Sequence, residues 1–356
     1  MAIIPVTRAN HLLGFIGLLR SIGTPVDREL SRASLPVYLE ETPDAYIKLV
    51  FAYRFLMQCS AQEGIDDIGF EAGWTTCLED LGPELVNAIK TAPTIKTRLE
   101  KFNQFASQEA NTLSCTLVAE KDDVRICIWE EFPPGVDIRI SEWQTIKVVI
   151  EIVRSGAGPE WMPSQICLQS AQAVCPGVMD RLGSVSVYVS QPSTSILIPR
   201  SLLAALVETS CWGQSQVPEW RSLPSSTLAL DSDPNTIVTS EKPEISCNNL
   251  NLVESLGLML KPYISSGYPS IDLAAEIVGT STRSLQRTLR AYQTSYSELI
   301  EQMRFERAAQ MLADPNRKII DVAMQLGYGH SPNFSRAFRR ISGQTPGEYR
   351  KDCMSG

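Results

Sequence analysis

The chain has 356 residues, which suggests about two domains, and its 44% hydrophobic and 20% charged residues are typical of a globular protein rather than a disordered one. Its 32 basic and 40 acidic residues give a net charge of −8, which for the whole chain argues against nucleic-acid binding. Because no apolar run reaches about 18 residues and the amphipathic first segment does not resemble a signal peptide, we expect a cytoplasmic protein with no membrane span.

The first 110 residues are predicted to be mostly helical. An amphipathic helix is expected around residues 12–19, and the apolar spacing from Tyr46 to Leu56 predicts another helix that is capped near Asp44. Two short helices divided near Pro93 are expected over residues 81–106.

Strand patterns begin at about residue 112. A hairpin is predicted around the turn at 121–123, a helix over 141–153, and further strands at 166–169 and within 184–199. We therefore predict an α+β N-terminal domain over residues 1–212, with a role in effector sensing or dimerisation. Four tryptophans of this domain could line a ligand pocket, although a plain core role is favoured for each: Trp74, Trp129, Trp143 and Trp161.

The nine cysteines are scattered, with no C-x-x-C pair, and the two histidines lie far apart in sequence. This distribution favours reduced and mostly buried thiols. It predicts neither a metal site nor a cofactor.

Residues 213–250 are rich in Ser, Pro, Asn and Asp and are predicted to form a linker. The C-terminal domain is expected over residues 251–352. From residue 251 onward there are 13 lysines and arginines against 10 acidic residues, so this part carries about +3 and the remainder about −11. The acidity of the whole chain is therefore an average over two different regions.

Residues 270–292 have the pattern of a helix-turn-helix unit. Gly279 is suited to end a first helix and Ser281 to cap a second. In the second helix Leu285 and Leu289 are expected to face inward. The opposite face then carries four residues suited to contact phosphates and base edges, namely Arg283, Gln286, Arg287 and Arg290.

Residues 318–343 repeat the pattern. Gly327 is expected to end the first helix, Ser331 to cap the second, and Pro332 to occupy its first turn. Phe334 and Phe338 are predicted to be buried. The outward face then carries Asn333, Arg336, Arg339 and Arg340. A single long helix over 295–314 is expected to hold the two units about 34 Å apart, one turn of duplex DNA.

At these residues the C-terminal domain resembles the DNA-binding domain of the AraC/XylS family of bacterial transcription regulators. The most specific likeness is the stretch from Asp321 to Arg350, which ends in the pattern Gly-x-Thr-Pro-x-x-Tyr-Arg. The N-terminal domain more weakly resembles the sensor domain of the arginine- or ornithine-responsive branch. This chain departs from the family at Gln293, where a glycine is usual, and in the order Ser331-Pro332.

The resemblance implies a sequence-specific regulator, usually an activator, that binds double-stranded DNA and often responds to a small molecule. RNA polymerase is an expected partner, and a homodimer is possible on this reading. An alternative is that the N-terminal domain only dimerises or binds a partner protein. A remote alternative, the one enzymatic reading, is a DNA alkyl-repair protein, but no cysteine is followed by histidine as its nucleophile would require.

Overall fold

A computed structural model describes residues 4–132, 136–207, 252–266, 269–314 and 316–355. The predicted linker over 213–250 and both of its boundaries lie outside the described residues.

The N-terminal region mixes helices and strands, so the predicted α+β class is confirmed. Its strands are β1 (Val6–Arg8), β2 (Tyr46–Lys48), β3 (Leu113–Glu120), β4 (Asp123–Glu130), β5 (Gln165–Cys167), β6 (Ser186–Tyr188) and β7 (Thr194–Pro199). Its helices are α1 (Asn10–Ser21), α2 (Val26–Arg32), α3 (Leu49–Glu63), α4 (Ile68–Gly73), α5 (Pro83–Thr91), α6 (Ile95–Glu109), α7 (Arg139–Ala157) and α8 (Pro176–Leu182).

Five of the strands form one sheet in the order β3-β4-β7-β5-β6, in which only β5 and β6 run parallel. Alternate residues such as Ile126 and Ile196 are buried against α6 and α7, together with the fully buried Trp143. Trp129 alternates to the other face and is 37% exposed, so the core role favoured for it is wrong.

The helix expected from Tyr46 starts later than the sequence pattern predicted. Residues Tyr46–Lys48 form β2, which pairs with β1 so that Val6 lies opposite Lys48, and the helix begins at Leu49. A short apolar segment at the start of a helix does not by itself distinguish a strand from a helical turn, and the pairing with a strand some forty residues away decides between them. The helices predicted around residues 12–19, on either side of Pro93, and over 141–153 are confirmed, as is the hairpin.

The described part of the C-terminal region is helical throughout. Its helices are α9 (Leu252–Leu260), α10 (Ile271–Val278), α11 (Thr282–Ala291), α12 (Tyr296–Leu312), α13 (Ile319–Gln325), α14 (Ser331–Ser342) and α15 (Pro346–Ser355). We call α10 and α11 the first helix pair, and α13 and α14 the second helix pair. Helix α12 connects them, as the sequence predicted.

Helix α12 contributes to two separate hydrophobic clusters. Its first half places Ile300 and Met303 in a cluster that includes the first helix pair and the apolar core around α1 to α3. Its second half places Met311 and Leu312 in a smaller cluster with the second helix pair. Within the described ranges, no helix combines the length and the apolar character needed to cross a bilayer.

Candidate nucleic-acid interface

Local hydrogen bonds determine where the helices of the first helix pair begin and end. The Ser270 hydroxyl accepts a hydrogen bond from the backbone N–H of Leu273 and caps α10. Gly279 ends α10 with a φ of 69°, a conformation that glycine adopts without steric cost. The Ser281 hydroxyl then accepts from the backbone N–H of Ser284 and caps α11. The predicted roles of Gly279 and Ser281 are confirmed.

Helix α11 buries one face and exposes the other. Leu285 and Leu289 are fully buried. The four side chains proposed from the sequence to meet DNA all lie on the exposed face: Arg283, Gln286, Arg287 and Arg290. Within the described part of the chain, none of these three arginines forms an ion pair. Their charges are therefore available to phosphates or base edges.

The second helix pair has a similar turn, but its second helix starts one residue earlier than expected. Gly327 has a φ of 73° after α13, as predicted. His330, rather than Ser331, occupies the N-cap position in extended conformation, so the predicted cap at Ser331 is wrong. Ser331 and Pro332 instead form the first turn of α14, where the missing N–H of proline does not disturb the helix.

Helix α14 also has a buried and an exposed face. Phe334 and Phe338 are each 2% exposed and pack against each other and against neighbouring rings, as predicted. The opposite face exposes the four remaining proposed site residues, Asn333, Arg336, Arg339 and Arg340.

Three of these four exposed residues are already engaged. The Arg336 guanidinium donates to the Asn333 side-chain oxygen at 2.6 Å, so these two side chains are held together as one polar unit. Arg340 forms an ion pair with Glu301 of α12. In this conformation Arg340 joins α14 to α12, and the remaining polar surface of α14 centres on Asn333, Arg336 and Arg339.

The Gly-x-Thr-Pro-x-x-Tyr-Arg pattern supports the second helix pair structurally. Thr345 and Glu348 form reciprocal hydrogen bonds at the start of α15, and the bonds that Thr345 donates to the Glu348 carboxylate lower the pKa of that carboxyl. The Tyr349 ring packs edge-on against Phe338 at 5.3 Å between centroids. Arg350 donates from Nε to the Leu312 carbonyl at the end of α12, at 3.3 Å.

Gln293 follows α11 in the left-handed conformation, with a φ of 55°. This is the position at which the family usually has glycine, which adopts a left-handed turn without steric cost. A side chain in this conformation costs on the order of 1–2 kcal/mol.

The N-terminal region contacts the first helix pair through Glu276, near the end of α10. The Glu276 carboxylate pairs with Arg54 at 3.1 Å and accepts from the Ser34 hydroxyl at 3.4 Å. Lys48 donates to the Glu276 backbone carbonyl at 2.5 Å, where a cation is favoured by the helix dipole. Tyr263, just after α9, donates to the Ser34 carbonyl at 2.8 Å.

Burial lowers the pKa of Lys48, with the Glu276 carboxylate acting against this shift, and burial raises the pKa of Tyr263. Sequence reasoning missed this contact entirely. Its partners lie more than 220 residues apart, and no local pattern marks any of them.

Comparison with known proteins places the C-terminal region in a family. The helix-turn-helix domain family matches residues 274–352. Regulatory protein SoxS of Salmonella typhimurium is 43% identical over 83 residues, which cover 23% of this chain and 77% of SoxS. The chain belongs to the AraC family of transcription regulators.

Two further AraC-type relatives extend the likeness. The HTH-type transcriptional regulator VirS of Mycobacterium tuberculosis is 25% identical over 349 residues, which cover 96% of each chain. The ornithine utilization regulator of Pseudomonas aeruginosa is 30% identical over 139 residues, 37% of this chain and 41% of the relative. The likeness to VirS therefore includes the N-terminal region.

Membership of the AraC family establishes a DNA-binding transcription regulator with a helix-turn-helix domain. The matched range of 274–352 contains α11 and α14 with all eight proposed site residues. In the described part of the chain, no three His, Cys, Asp or Glu side chains are grouped so that they could hold a metal ion.

Proposed function

We propose that this AraC-family chain binds a specific duplex DNA site with two reading helices, α11 and α14. The observation that carries the proposal is that both helices bury a hydrophobic face and expose a polar, arginine-rich face. Each follows a shorter helix across a glycine turn, so each helix pair has the form of a helix-turn-helix unit. Helix α12 joins the two pairs and would hold the reading helices against successive major-groove faces.

The charge of the C-terminal region supports a specific rather than a purely electrostatic mode of binding. A charge of about +3 gives only modest attraction to phosphates. The paired Asn333 and Arg336 present amide and guanidinium groups side by side, and these groups suit adenine and guanine edges respectively. We therefore assign base recognition chiefly to Gln286 and Arg287 on α11 and to this pair on α14.

We further propose that the N-terminal region, as a domain extending to residue 212 with a linker over 213–250, controls the DNA-binding domain in response to a small effector. The shared hydrophobic cluster and the contacts at Glu276 support this proposal, because they couple the N-terminal region to the helix that precedes α11. On this proposal the protein is an activator that contacts RNA polymerase, and it acts in the cytoplasm, with dimerisation through the N-terminal domain.

Substitution of one arginine on each reading helix tests DNA recognition. A cognate site is first selected from random duplexes with the full-length protein. Arg287→Ala and Arg336→Ala are each expected to weaken binding to that site by about 5- to 150-fold, the loss expected for one good base contact of about 1–3 kcal/mol. Fluorescence anisotropy at several salt concentrations measures the affinity, which should fall steeply as salt is added.

Arg317→Ala is the matched control, because Arg317 is also exposed but pairs with Asp314 and lies on neither reading helix. Its affinity should stay close to that of the wild-type protein. Both reading-helix variants should retain the wild-type circular dichroism spectrum, since neither side chain is buried. Failure to select any site tighter than random DNA, or wild-type affinity in both variants, would contradict the proposal.

A further inference from the structure

Strand β3 forms one edge of the five-stranded sheet, and in the described part of the chain it pairs with β4 alone. It is eight residues long, whereas β6 at the opposite edge has only three. A short edge strand offers few backbone groups to another strand, but a long one presents a row of unpaired N–H and C=O groups. The two edges of the sheet therefore differ in their capacity to accept a further strand.

The hydrogen bonds around β3 show which of its backbone groups point away from the sheet. The Glu131 N–H donates to the Thr112 carbonyl at 3.2 Å, so these residues form a hydrogen-bonded pair directly beyond the ladder of β3 and β4. Because such pairs alternate along antiparallel strands, the even-numbered residues of β3 bond to β4 and the odd-numbered ones face outward. The outward N–H of Leu113 donates to the Ala110 carbonyl at 2.9 Å. Within the described ranges, no other backbone hydrogen bond reaches the outward groups of the remaining three residues, Cys115, Leu117 and Ala119.

The sequence of β3 does not protect this edge. Exposed edges are commonly blunted by proline, by lysine or by a β-bulge. The strand contains neither proline nor lysine, and its register with β4 is continuous. Its one charged residue, Glu120, pairs with Arg125 of β4 at 2.6 Å. Val118 is 42% exposed and Ala119 is exposed as well, so the edge is open to solvent.

The outward backbone groups of β3 are complementary to those of a second copy of the same strand. In an antiparallel arrangement with a two-fold axis at Leu117, Leu117 lies opposite its own copy and Cys115 lies opposite Ala119. All three residues with free outward groups then pair with one another, and each pair exchanges two hydrogen bonds, which makes about six in total.

The side chains are compatible with the same register. Val118 lies opposite Thr116 of the copy, which places two β-branched side chains side by side, a combination favoured in sheets. Glu120 lies opposite Ser114, so no two like charges face each other directly across the axis. A strand of another protein would satisfy the backbone groups equally well, but this self-complementary register favours a second copy.

We propose that two copies of this chain join edge to edge through β3, as a two-fold dimer with one continuous sheet of ten strands. A sheet of about ten strands is within the range found in proteins. The inference rests on the dimerisation included in the proposed function, to which it gives a location, and it is independent of DNA recognition. The two DNA-binding regions of the dimer are then related by the same two-fold axis.

Sedimentation velocity of the full-length protein at micromolar concentration tests the interface. The wild type should sediment as a dimer, with about twice the chain mass of 39.4 kDa. Val118→Lys places two ammonium groups on diagonal positions across the axis, with backbones about 7–8 Å apart, and should weaken self-association at least tenfold. Tyr188→Lys makes a similar change at a 49% exposed position on β6 and should dimerise like the wild type. A monomeric wild type, or wild-type dimerisation of folded Val118→Lys protein, would overturn the proposal.

A cysteine at the two-fold axis detects the pairing without weakening it. Leu117→Cys places a thiol opposite its own copy, where the Cα atoms of a hydrogen-bonded pair lie about 5.5 Å apart, a distance that a disulfide can span. Mild oxidation should give a covalent dimer on a non-reducing gel, above the background set by the nine cysteines of the wild type. Tyr188→Cys should stay at that background. No excess of covalent dimer in Leu117→Cys protein would overturn the assignment even if Val118→Lys protein does not fold.

The same preparations separate this inference from the proposed function. A dimer that neither Val118→Lys nor Leu117→Cys affects would reject the β3 interface and leave the proposed dimerisation intact. Dimerisation that is lost in Val118→Lys protein, together with failure to select a specific DNA site, would reject DNA recognition and leave the β3 interface intact. Selection of a specific site by a monomeric protein would reject the dimer and leave DNA recognition intact.

Discussion

The two helix pairs share one sequence pattern but differ in what supports them. In the first helix pair, Leu285 and Leu289 belong to a hydrophobic cluster that continues into the N-terminal core around Phe51 and Phe55. Polar contacts at Glu276 connect the same pair to the N-terminal region. The first helix pair is therefore packed as an extension of the N-terminal core.

The second helix pair has a small core of its own. Phe334 and Phe338 pack with Phe305 of α12 and with the rings of Tyr328 and Tyr349. Among the described residues, this cluster includes no side chain from the N-terminal region. Aromatic contacts of this kind give a small core additional stability beyond the area that they bury.

This difference indicates how a change in the N-terminal region could affect DNA binding. A change there can reach the first helix pair directly, through shared packing. In the described part of the chain, α12 is the helix that joins this packing to the core of the second helix pair. The two reading helices are thus expected to respond unequally to the N-terminal region, although their exposed faces are similar in composition. Three experiments test whether the two helix pairs differ in this way.

Truncation of a core side chain should strongly destabilise either helix pair. The two truncations should differ in how many helices show faster hydrogen exchange. Phe338→Ala is expected to destabilise the second helix pair by about 3–5 kcal/mol, with faster amide hydrogen exchange confined to α13 to α15 and the end of α12. Leu289→Ala should cost about 2–5 kcal/mol, and its faster exchange should extend through α9 into α1 to α3, because one cluster contains them all.

The control for these truncations is Met324→Ala on α13, since Met324 is 68% exposed and should change stability by less than about 0.5 kcal/mol. Faster exchange confined to α10 and α11 in the Leu289→Ala protein would contradict a core shared between the first helix pair and the N-terminal region. Unfolding of the N-terminal region in the Phe338→Ala protein would contradict a separate core for the second helix pair.

A change of pH should affect the N-terminal region and leave the second helix pair unchanged. Burial raises the pKa of Glu130 on β4 to about 8 from an ordinary value of 4.5, with a hydrogen bond from Ser141 acting against the shift and the charge of Glu142 adding to it. The native state therefore holds a proton that the unfolded chain has lost between these pH values. Stability of the N-terminal region should fall as pH rises from about 5 to about 8.

Glu130→Gln removes this dependence, so the variant should gain stability relative to the wild type on going from pH 5 to pH 8. Urea denaturation at the two pH values, followed by tryptophan fluorescence, measures the difference. Glu131→Gln, at the exposed neighbouring position, is the control and should retain the wild-type dependence. An unchanged dependence in Glu130→Gln protein would show that another group carries it. A parallel shift in the exchange of α13 to α15 would contradict independence of the two helix pairs.

The sequence predicted local structure well wherever a local interaction decides it. Gly279 and Ser281 act on neighbouring backbone, and the spacing of Leu285 and Leu289 is sufficient to determine which face of α11 is exposed. The prediction of a cap at Ser331 failed by one residue, since a helix start has several acceptable positions when proline is in the first turn.

Long-range features of the fold could not be predicted in this way. The pairing of β2 with β1 and the contact of Arg54 with Glu276 depend on chain segments far apart in sequence, and neither leaves a periodic signal. The exposure of the eight proposed site residues could be predicted, because it follows from the face of one helix in each case.

The smallest expected effect comes from the turn after α11, which differs from the turn after α14 in the residue that adopts the left-handed conformation. Gln293 adopts a φ of 55°, whereas the turn after α14 has Gly343 at a φ of 77°. Gln293→Gly should therefore stabilise the first helix pair by about 1 kcal/mol, through relief of the left-handed conformation. Gly279→Ala is the mirror experiment, since it places a side chain at a φ of 69° in open space, and it should destabilise by a similar amount. Urea denaturation measures both changes, and a loss of stability in Gln293→Gly protein would show that the glutamine side chain makes a compensating contact.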